Sequence, residues 1–362
     1  MKRERGRIFW IIPILAVAVI LGYYFYGWEI GSKMHPEETA YDMETLTMLV
    51  SRQIDEGKMH GTFYIKGISE EELKTINNYV CSMNGSVGQF SVLEKTRGGM
   101  RIRLKYEISD NYYVYRYYTT GEKMPGDRPD AVELYDKVED ILSTIITPGM
   151  SDYEKELAIH DYLVTNCEYG YMEYAKDYAF TSYGALVHKK AVCNGYAEAM
   201  ALLLSCCDIE NAIMTGTAGG ELHAWNRVRL DDKWYQVDAT WDDPVPDRGS
   251  FAGHMYFNVS DDVMDDTHIW ESDGYEPCND LDKNYFVLNG LVCDYNQFVN
   301  EVKYQASWDS GATIEVLLSD YTDAYSYDFL QDIPDLMYYK MSSYPEPYGD
   351  YRYLIIYLNQ RD

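Results

Sequence analysis

A single cysteine at the start of an amphipathic segment constrains the fold of this chain most. Cys193 is followed by helix-forming residues, with apolar side chains at Ala197, Met200, Ala201 and Leu204. The spacing predicts a helix that begins at the cysteine and packs on a core. A thiol at a helix N-terminus faces unpaired backbone N–H groups and the positive end of the macrodipole, which favour the thiolate. Cys193 is therefore a candidate nucleophile.

A β-hairpin is predicted shortly after this helix. Residues 222–230 alternate in polarity, Asp231 and Asp232 form a turn, and residues 234–241 return as a second strand. His223 lies eight residues before Asp231 and Asp238 lies six residues after Asp232. That small offset is within diagonal cross-strand reach. The hairpin is therefore expected to hold an imidazole against a carboxylate.

Each of these three residues also has an ordinary structural interpretation. A buried cysteine is often an inert small apolar residue, a strand histidine is often only hydrogen-bonded, and an aspartate near a turn often stabilises that turn. A nucleophile, a base and an orienting carboxylate in this order are a more specific signal. Together Cys193, His223 and Asp238 predict a catalytic triad.

The residues around the triad resemble the transglutaminase-like superfamily, in the form found in many bacterial surface proteins. The resemblance covers roughly residues 150–270. It is carried by Gly184-Ala-Leu-Val, Ala191-Val-Cys-Asn-Gly-Tyr-Ala, His223-Ala-Trp-Asn, and Trp234-Tyr-Gln-Val-Asp-Ala-Thr-Trp-Asp-Asp-Pro244. It implies an α+β, papain-like core over residues 130–275, in which a helix bearing the cysteine packs on an antiparallel sheet bearing the histidine and aspartate. It leaves open whether the acyl group passes to water or to an amine.

One feature of animal transglutaminases is absent. They use a tryptophan upstream of the cysteine as an oxyanion donor, whereas here no tryptophan lies between Trp28 and Cys193. The backbone N–H of Cys193 is one available donor. Tyr178 and Tyr183 are the nearest aromatic substitutes for the other. The missing tryptophan argues against a true transglutaminase.

The N-terminus predicts a membrane anchor. Residues 1–7 carry four basic side chains, and residues 8–28 contain no charge. As a helix that run extends about 31 Å, enough to cross a bilayer. A cleaved signal peptide is the alternative. Because aromatic residues end the run and basic residues precede it, we favour a single-pass anchor in the cell membrane, with residues 1–7 cytoplasmic and the catalytic domain extracellular.

The net charge of the chain and the spacing of its potential metal ligands restrict the binding partners that are expected. The chain has a net charge of −28, and because residues 1–7 contribute +3 the remainder carries −31. Nucleic acid would repel such a surface. No Cys/His cluster has zinc spacing, and the acidic pairs lack the pattern of a calcium loop, so no metal or other cofactor is expected.

His160 is interpreted as a surface or core histidine, not a second base. Cys278 and Cys293 are the one pair whose separation invites a disulfide.

Flanking modules are expected on both sides of the core. Residues 29–57 are predicted as a linker with a helix over 36–55, and residues 58–125 as a small α/β module. Residues 280–362 are predicted as a second such module, with a hairpin turning at Asn289-Gly290 and a helix over 324–333.

Three functions remain open on the sequence. The leading one is a membrane-anchored extracytoplasmic cysteine hydrolase, a peptidase or amidase that acts on a protein or peptide amide through a thioester. The second is a protein-glutamine gamma-glutamyltransferase that forms cross-links. The third is a non-catalytic surface scaffold.

Overall fold

The computed structural model describes residues 38–359, with gaps at residues 81, 125, 174–175, 244–250, 272–274, 310, 323–324, 338 and 345–347. The predicted anchor at residues 8–28 lies outside the described residues. None of the helices within the described ranges combines the length and the apolar character needed to cross a membrane. The described chain is a mixed α+β structure with three four-stranded sheets, each formed by a consecutive part of the sequence.

The N-terminal sheet is covered by one amphipathic helix. Its elements are β1 (Glu38–Ala40), α1 (Met43–Asp55), β2 (His60–Ile65), α2 (Glu70–Leu73), a 3₁₀ turn (Ile76–Asn78), β3 (Gly85–Thr96) and β4 (Gly99–Ile108). The strand order is β1-β2-β4-β3. The helix predicted over 36–55 begins only at Met43, because Asp42 caps it by accepting a hydrogen bond of 2.8 Å from the Thr45 N–H.

Three longer helices precede the core sheet. They are α3 (Asp110–Thr120), α4 (Pro129–Ile145) and α5 (Asp152–Asn166). The amphipathic patterns of residues 131–146 and 151–166 correspond to α4 and α5 within two residues. Ser151 and Glu154 form a capping box that begins α5, and Pro129 opens α4, as expected for that residue at a helix start.

The core pairs a buried helix with an antiparallel sheet. Its elements are β5 (Glu168–Tyr169), a 3₁₀ turn (Lys176–Phe180), α6 (Ser182–Leu186), β6 (Lys190–Ala191), α7 (Cys193–Cys206), β7 (Asn211–Ala218), β8 (Glu221–Leu230), β9 (Lys233–Val237), α8 (Ala239–Asp242), α9 (Asp261–Met264) and β10 (His268–Ile269). The strand order is β10-β7-β8-β9. Helix α7 is buried along most of its length and packs in one apolar cluster with β8 and β9.

The C-terminal sheet differs from its prediction. Its elements are α10 (Tyr285–Leu288), β11 (Val292–Cys293), α11 (Tyr295–Trp308), β12 (Thr313–Leu318), a 3₁₀ turn (Asp328–Asp332), β13 (Tyr339–Tyr344) and β14 (Arg352–Leu358), in the order β11-β12-β14-β13. The predicted hairpin at Asn289-Gly290 is wrong: Gly290, with φ of 68°, follows the end of α10. The helix predicted over 324–333 is only the short 3₁₀ turn. Cys278 and Cys293, the pair whose separation invites a disulfide, are both free.

An apolar cluster joins this C-terminal sheet to the core sheet. It contains Met214 and Trp225 from the core together with Phe286, Leu317 and Tyr353 from the C-terminal part. All five side chains are nearly inaccessible to solvent. The two sheets therefore share an apolar interface, and Trp225 in this interface stacks on the ring of His223 with 5.9 Å between the ring centroids.

One buried carboxyl inside α5 makes the stability of this fold depend on pH. Glu156 is inaccessible to solvent and its Oε2 accepts a hydrogen bond of 2.9 Å from Asn258 Nδ2. Glu156 Oε1 and Asn258 Oδ1 have no hydrogen-bond partner among the described residues. Burial raises the pKa of Glu156 to about 8, although Asn258 and His160 act in the opposite direction. A proton on this carboxyl at neutral pH is therefore part of the folded state.

We expect Glu156→Gln to stabilise the protein selectively at alkaline pH. The folded-state pKa exceeds the unfolded value near 4.5, so the wild type loses stability as pH rises from about 4.5 to 8, and the neutral glutamine does not. Relative to wild type, the free energy of unfolding of the variant should rise by on the order of a few kcal/mol between pH 5 and pH 9. Urea unfolding at both pH values measures this, with the exposed Glu139→Gln as control. An equal difference at both pH values would contradict it.

Candidate active site

The helix start and the hairpin bring the predicted residues together. Cys193 is the first residue of α7 and is half-buried. Val192 precedes the helix without a side-chain cap, so the first N–H groups of α7 have no acceptor within the helix. The sulfur thus stands at an electropositive helix end, as the sequence predicts.

His223 and Asp238 contact each other as the predicted hairpin requires. Asp231 and Asp232 form its turn with positive φ angles, and Asn226 pairs with Val237 across the two strands. Strand β9 ends at Val237, earlier than predicted, because Asp238 caps α8: its Oδ1 accepts hydrogen bonds from the N–H groups of Thr240 and Trp241. This cap holds Asp238 Oδ2 at 2.6 Å from His223 Nε2.

The charges and hydrogen bonds among Cys193, His223 and Asp238 favour a protonated His223 next to the sulfur. Burial alone would lower the pKa of His223, but the charge and hydrogen bond of Asp238, together with the hydrogen bond and charge of Cys193, raise it to about 10. Asp238 is fully buried, and burial would raise its pKa, yet His223 and His268 hold it well below its usual range. Because Nε2 of His223 is bound to Asp238, Nδ1 is left for the thiol.

The residues of this site lie in a segment that matches a known sequence family. A sequence profile of the transglutaminase-like superfamily matches residues 139–239, a range that includes Cys193, His223 and Asp238. This segment is similar to transglutaminase-like domains. The match covers less than a third of the chain, and the modules on either side lie outside it. The comparison with curated proteins finds no significant match to this chain.

Solved structures give only distant likenesses. One described as a TGase is 14% identical, with 57% of this chain and 60% of that chain covered and a TM-score of 0.26. Two are described as putative proteases. The cysteine protease from Cytophaga hutchinsonii is 16% identical (46% and 66% covered, TM-score 0.27), and the protease from Parabacteroides distasonis is 10% identical (83% and 66% covered, TM-score 0.24). The chain spans 60–66% of the length of these proteins, and TM-scores this low show no shared arrangement of the whole chain.

His268 completes the hydrogen bonding of the transglutaminase-like site, and sequence reasoning missed it. Its Nε2 lies 3.0 Å from the same Asp238 Oδ2, and its Nδ1 lies 2.8 Å from the Thr267 hydroxyl. The side chain is fully buried. It comes from β10, thirty residues after Asp238, and no motif marks it. The donor atoms of His223, Asp238 and His268 lie within 4.8 Å of one another, but the second nitrogen of His223 is directed at the Cys193 thiol and that of His268 at the Thr267 hydroxyl, and neither has a second carboxylate behind it.

The tyrosines predicted as oxyanion donors lie in other contacts. The Tyr178 hydroxyl donates to Asp130 at 2.7 Å and the Tyr183 hydroxyl donates to Glu133 at 2.5 Å. Tyr169 is closer to the site: it pairs with Ala191 in the short β5–β6 ladder directly before Cys193. Burial raises the pKa of Tyr169, and the neighbouring charge of Cys193 raises it further. Tyr169 is therefore the better candidate for a hydroxyl that faces the reacting sulfur.

Gly195 sets the position of the cysteine against the preceding turn. A Cβ at this residue would lie 2.6 Å from the Ala179 carbonyl oxygen and 2.7 Å from the Ala191 Cβ. The first is a backbone atom and the second is the methyl group of an alanine, so neither can rotate away. The glycine therefore allows the helix start to approach this turn closely.

We expect Gly195→Ala to destabilise the fold and to displace Cys193. Overpacking of this kind costs about 1–3 kcal/mol, and the helix start must move to relieve it. The unfolding temperature and the turnover should both fall below their wild-type values. Gly126→Ala is the matched control, because a Cβ there meets no atom within 4 Å. Wild-type stability for Gly195→Ala would contradict this account of the helix start.

Proposed function

We propose that this protein is a cysteine hydrolase that cleaves protein or peptide amides through a thioester. The observation that carries the proposal is the 2.6 Å contact between His223 Nε2 and Asp238 Oδ2, with Cys193 at the start of α7 close enough to raise the pKa of His223. Members of the transglutaminase-like superfamily are typically cysteine-dependent enzymes, which supports this class of chemistry.

The proposed reaction uses each residue in turn. The Cys193 thiolate attacks the carbonyl carbon of the amide, and the developing oxyanion is stabilised by the Cys193 backbone N–H and by the Tyr169 hydroxyl. The His223 imidazolium gives its proton from Nδ1 to the departing amine, and a thioester remains. Water then attacks this thioester while His223 takes its proton, and the Cys193 thiolate leaves with release of the carboxylic acid. Asp238 holds the ring in position throughout.

Exposed apolar side chains near the site favour a peptide as the substrate. Trp241 is 38% exposed, and its ring centroid lies 6.0 Å from that of His223. Leu222, beside His223, is 73% exposed, and Tyr169 is 45% exposed. Phe180 is also exposed, and its carbonyl binds the side chain of Asn194, the residue after the cysteine. Exposed apolar groups around a polar centre are typical of binding sites.

The proposed location is the outer face of the cell membrane, with the chain anchored by residues 8–28. The support for it is the uncharged apolar run and the basic residues ahead of it. The net charge of −28 argues against a nucleic-acid partner, and the exposed apolar side chains beside the site support a protein partner.

The products of a mixed peptide library test the function directly. The full chain, purified in mild detergent, is incubated with glutamine-containing peptides with and without a primary amine, and products are identified by mass spectrometry. We expect cleavage or deamidation by water as the main reaction, and none with Cys193→Ala. Amine adducts in excess over hydrolysis would establish the transferase instead, and no reaction by the wild type would favour the scaffold.

A further inference from the structure

A second cluster of histidine and carboxylate side chains lies outside the proposed triad. His160 Nδ1 lies 3.1 Å from Asp161 Oδ1, and His254 Nε2 lies 2.9 Å from the same oxygen. These three atoms lie within 4.8 Å of one another. Helix α5 supplies the first two residues, and the chain just before α9 supplies the third. Their separation in sequence explains why no zinc spacing marks them.

Two sides of the triangle of donor atoms are close in length to the ligand spacing of a zinc site. Zinc binds histidine nitrogen and carboxylate oxygen at about 2.1 Å, which places neighbouring ligand atoms of a tetrahedron about 3.4 Å apart. The two measured distances, 3.1 and 2.9 Å, are a few tenths of an ångström shorter. Small side-chain rotations are sufficient to admit an ion.

The far nitrogen of each imidazole faces a buried carboxylate. His160 Nε2 lies 3.2 Å from Asp242 Oδ2, and His254 Nδ1 is hydrogen-bonded to Glu315 Oε1. Glu315 is itself fixed by the Tyr353 hydroxyl, which donates to Oε2 at 2.7 Å. Metal-binding histidines commonly donate their second N–H to a carboxylate, which directs the lone pair of the first nitrogen at the metal. Both histidines show this arrangement, which acidic clusters at protein surfaces lack.

The cluster is also accessible from one side. Asp161, His254 and Glu315 line a cavity of about 690 Å³, and the Asp161 side chain is 41% exposed. His160 is completely buried behind them. Neither Cys193 nor His223 lines this cavity. Three protein ligands and an open fourth direction are typical of zinc sites that bind water or a small ligand.

We propose that His160 Nδ1, Asp161 Oδ1 and His254 Nε2 form a binding site for a divalent transition metal, of which Zn²⁺ fits best. Its fourth position faces the cavity and takes water or a small anionic ligand. The ion links α5 to the C-terminal sheet, because Glu315 on β12 orients His254. The ion also lies about one helical turn from the proposed triad, because the short helix α8 starts after Asp238 and ends at Asp242.

Metal titration of the full chain in a Cys193→Ala background tests this site without the competing thiol. Zn²⁺ binding is followed by calorimetry, and the absorption of bound Co²⁺ reports the coordination. We expect one ion per chain, with a Co²⁺ spectrum of low symmetry, and a rise of the unfolding temperature by a few degrees. Asp161→Asn and His254→Ala should weaken Zn²⁺ binding by about 100-fold or more, and Glu315→Gln by about 10–100-fold.

Matched variants decide where any ion binds. His60→Ala changes an exposed histidine and should bind Zn²⁺ as the parent does. His223→Ala should also leave binding unchanged. The proposal is overturned if the parent binds no ion, if Asp161→Asn retains full affinity, or if binding is lost in His223→Ala, which would assign the ion to His223, Asp238 and His268. Asp161→Asn keeps the test valid should His254→Ala fail to fold.

Discussion

Replacing His223 with alanine is expected to lower amide turnover by about 10⁴-fold or more. In the proposed reaction His223 takes the thiol proton and protonates the departing amine, so both half-reactions would lose their proton carrier. The His223 side chain is 7% exposed, and its removal also leaves Asp238 without one of its two imidazole partners. Turnover of the best peptide from the product screen measures the effect.

The control for this prediction is His60→Ala, which removes an imidazole from an exposed position and should keep wild-type turnover. Circular dichroism of His223→Ala should show the folded protein. Turnover within tenfold of wild type would mean that His223 does not serve as the base.

Asp238→Asn is also expected to lower turnover by about 10⁴-fold. Asp238 Oδ2 binds the Nε2 atoms of His223 and His268, whereas Oδ1 binds the N–H groups of Thr240 and Trp241. An asparagine that keeps the backbone contacts must present its NH₂ group to the two imidazoles. His223 then accepts at Nε2 and carries its proton on Nδ1, where it no longer serves as a base towards the thiol.

This substitution also separates catalysis from folding. The helix cap made by Oδ1 survives in the variant, so the loss of stability should be far smaller than the loss of turnover. Asp265→Asn, at an exposed position, is the control and should behave as wild type. Equal turnover by Asp238→Asn and wild type would exclude an orienting role for this carboxylate.

The sequence predicted the pairing of His223 and Asp238 because a local feature fixes it. Two aspartates with positive φ form the turn, and the turn sets the register of β8 and β9. The capping boxes at Ser69 and Ser151 were predictable for the same reason, since each depends on residues three apart. Asn289-Gly290 was misassigned because asparagine and glycine end helices as readily as they form hairpin turns.

The contacts that the sequence did not predict join distant segments. His268 approaches Asp238 from β10, and His254 approaches Asp161 across 93 residues. Neither contact follows from a period or a spacing, because each depends on how distant segments assemble: β10 pairs with β7 in the core sheet, and Glu315 of the C-terminal sheet binds His254. The same holds for His160: the prediction of a surface or core histidine did not reveal its contacts with Asp161, Asp242 and the ring of His254.

The alkylation rate of Cys193 as a function of pH tests the central claim most directly. Iodoacetamide labelling of the full chain is followed from pH 5 to 9 in wild type and His223→Ala, with peptide mapping to separate Cys193 from the other cysteines. The raised pKa of His223, about 10, keeps the imidazolium beside the sulfur throughout this range. We predict rapid labelling of wild-type Cys193 already at pH 6, and labelling of the variant that rises only near pH 8.5, where ordinary thiols ionise. Slow labelling at pH 6 in both proteins, with the same rise near pH 8.5, would contradict an activated nucleophile.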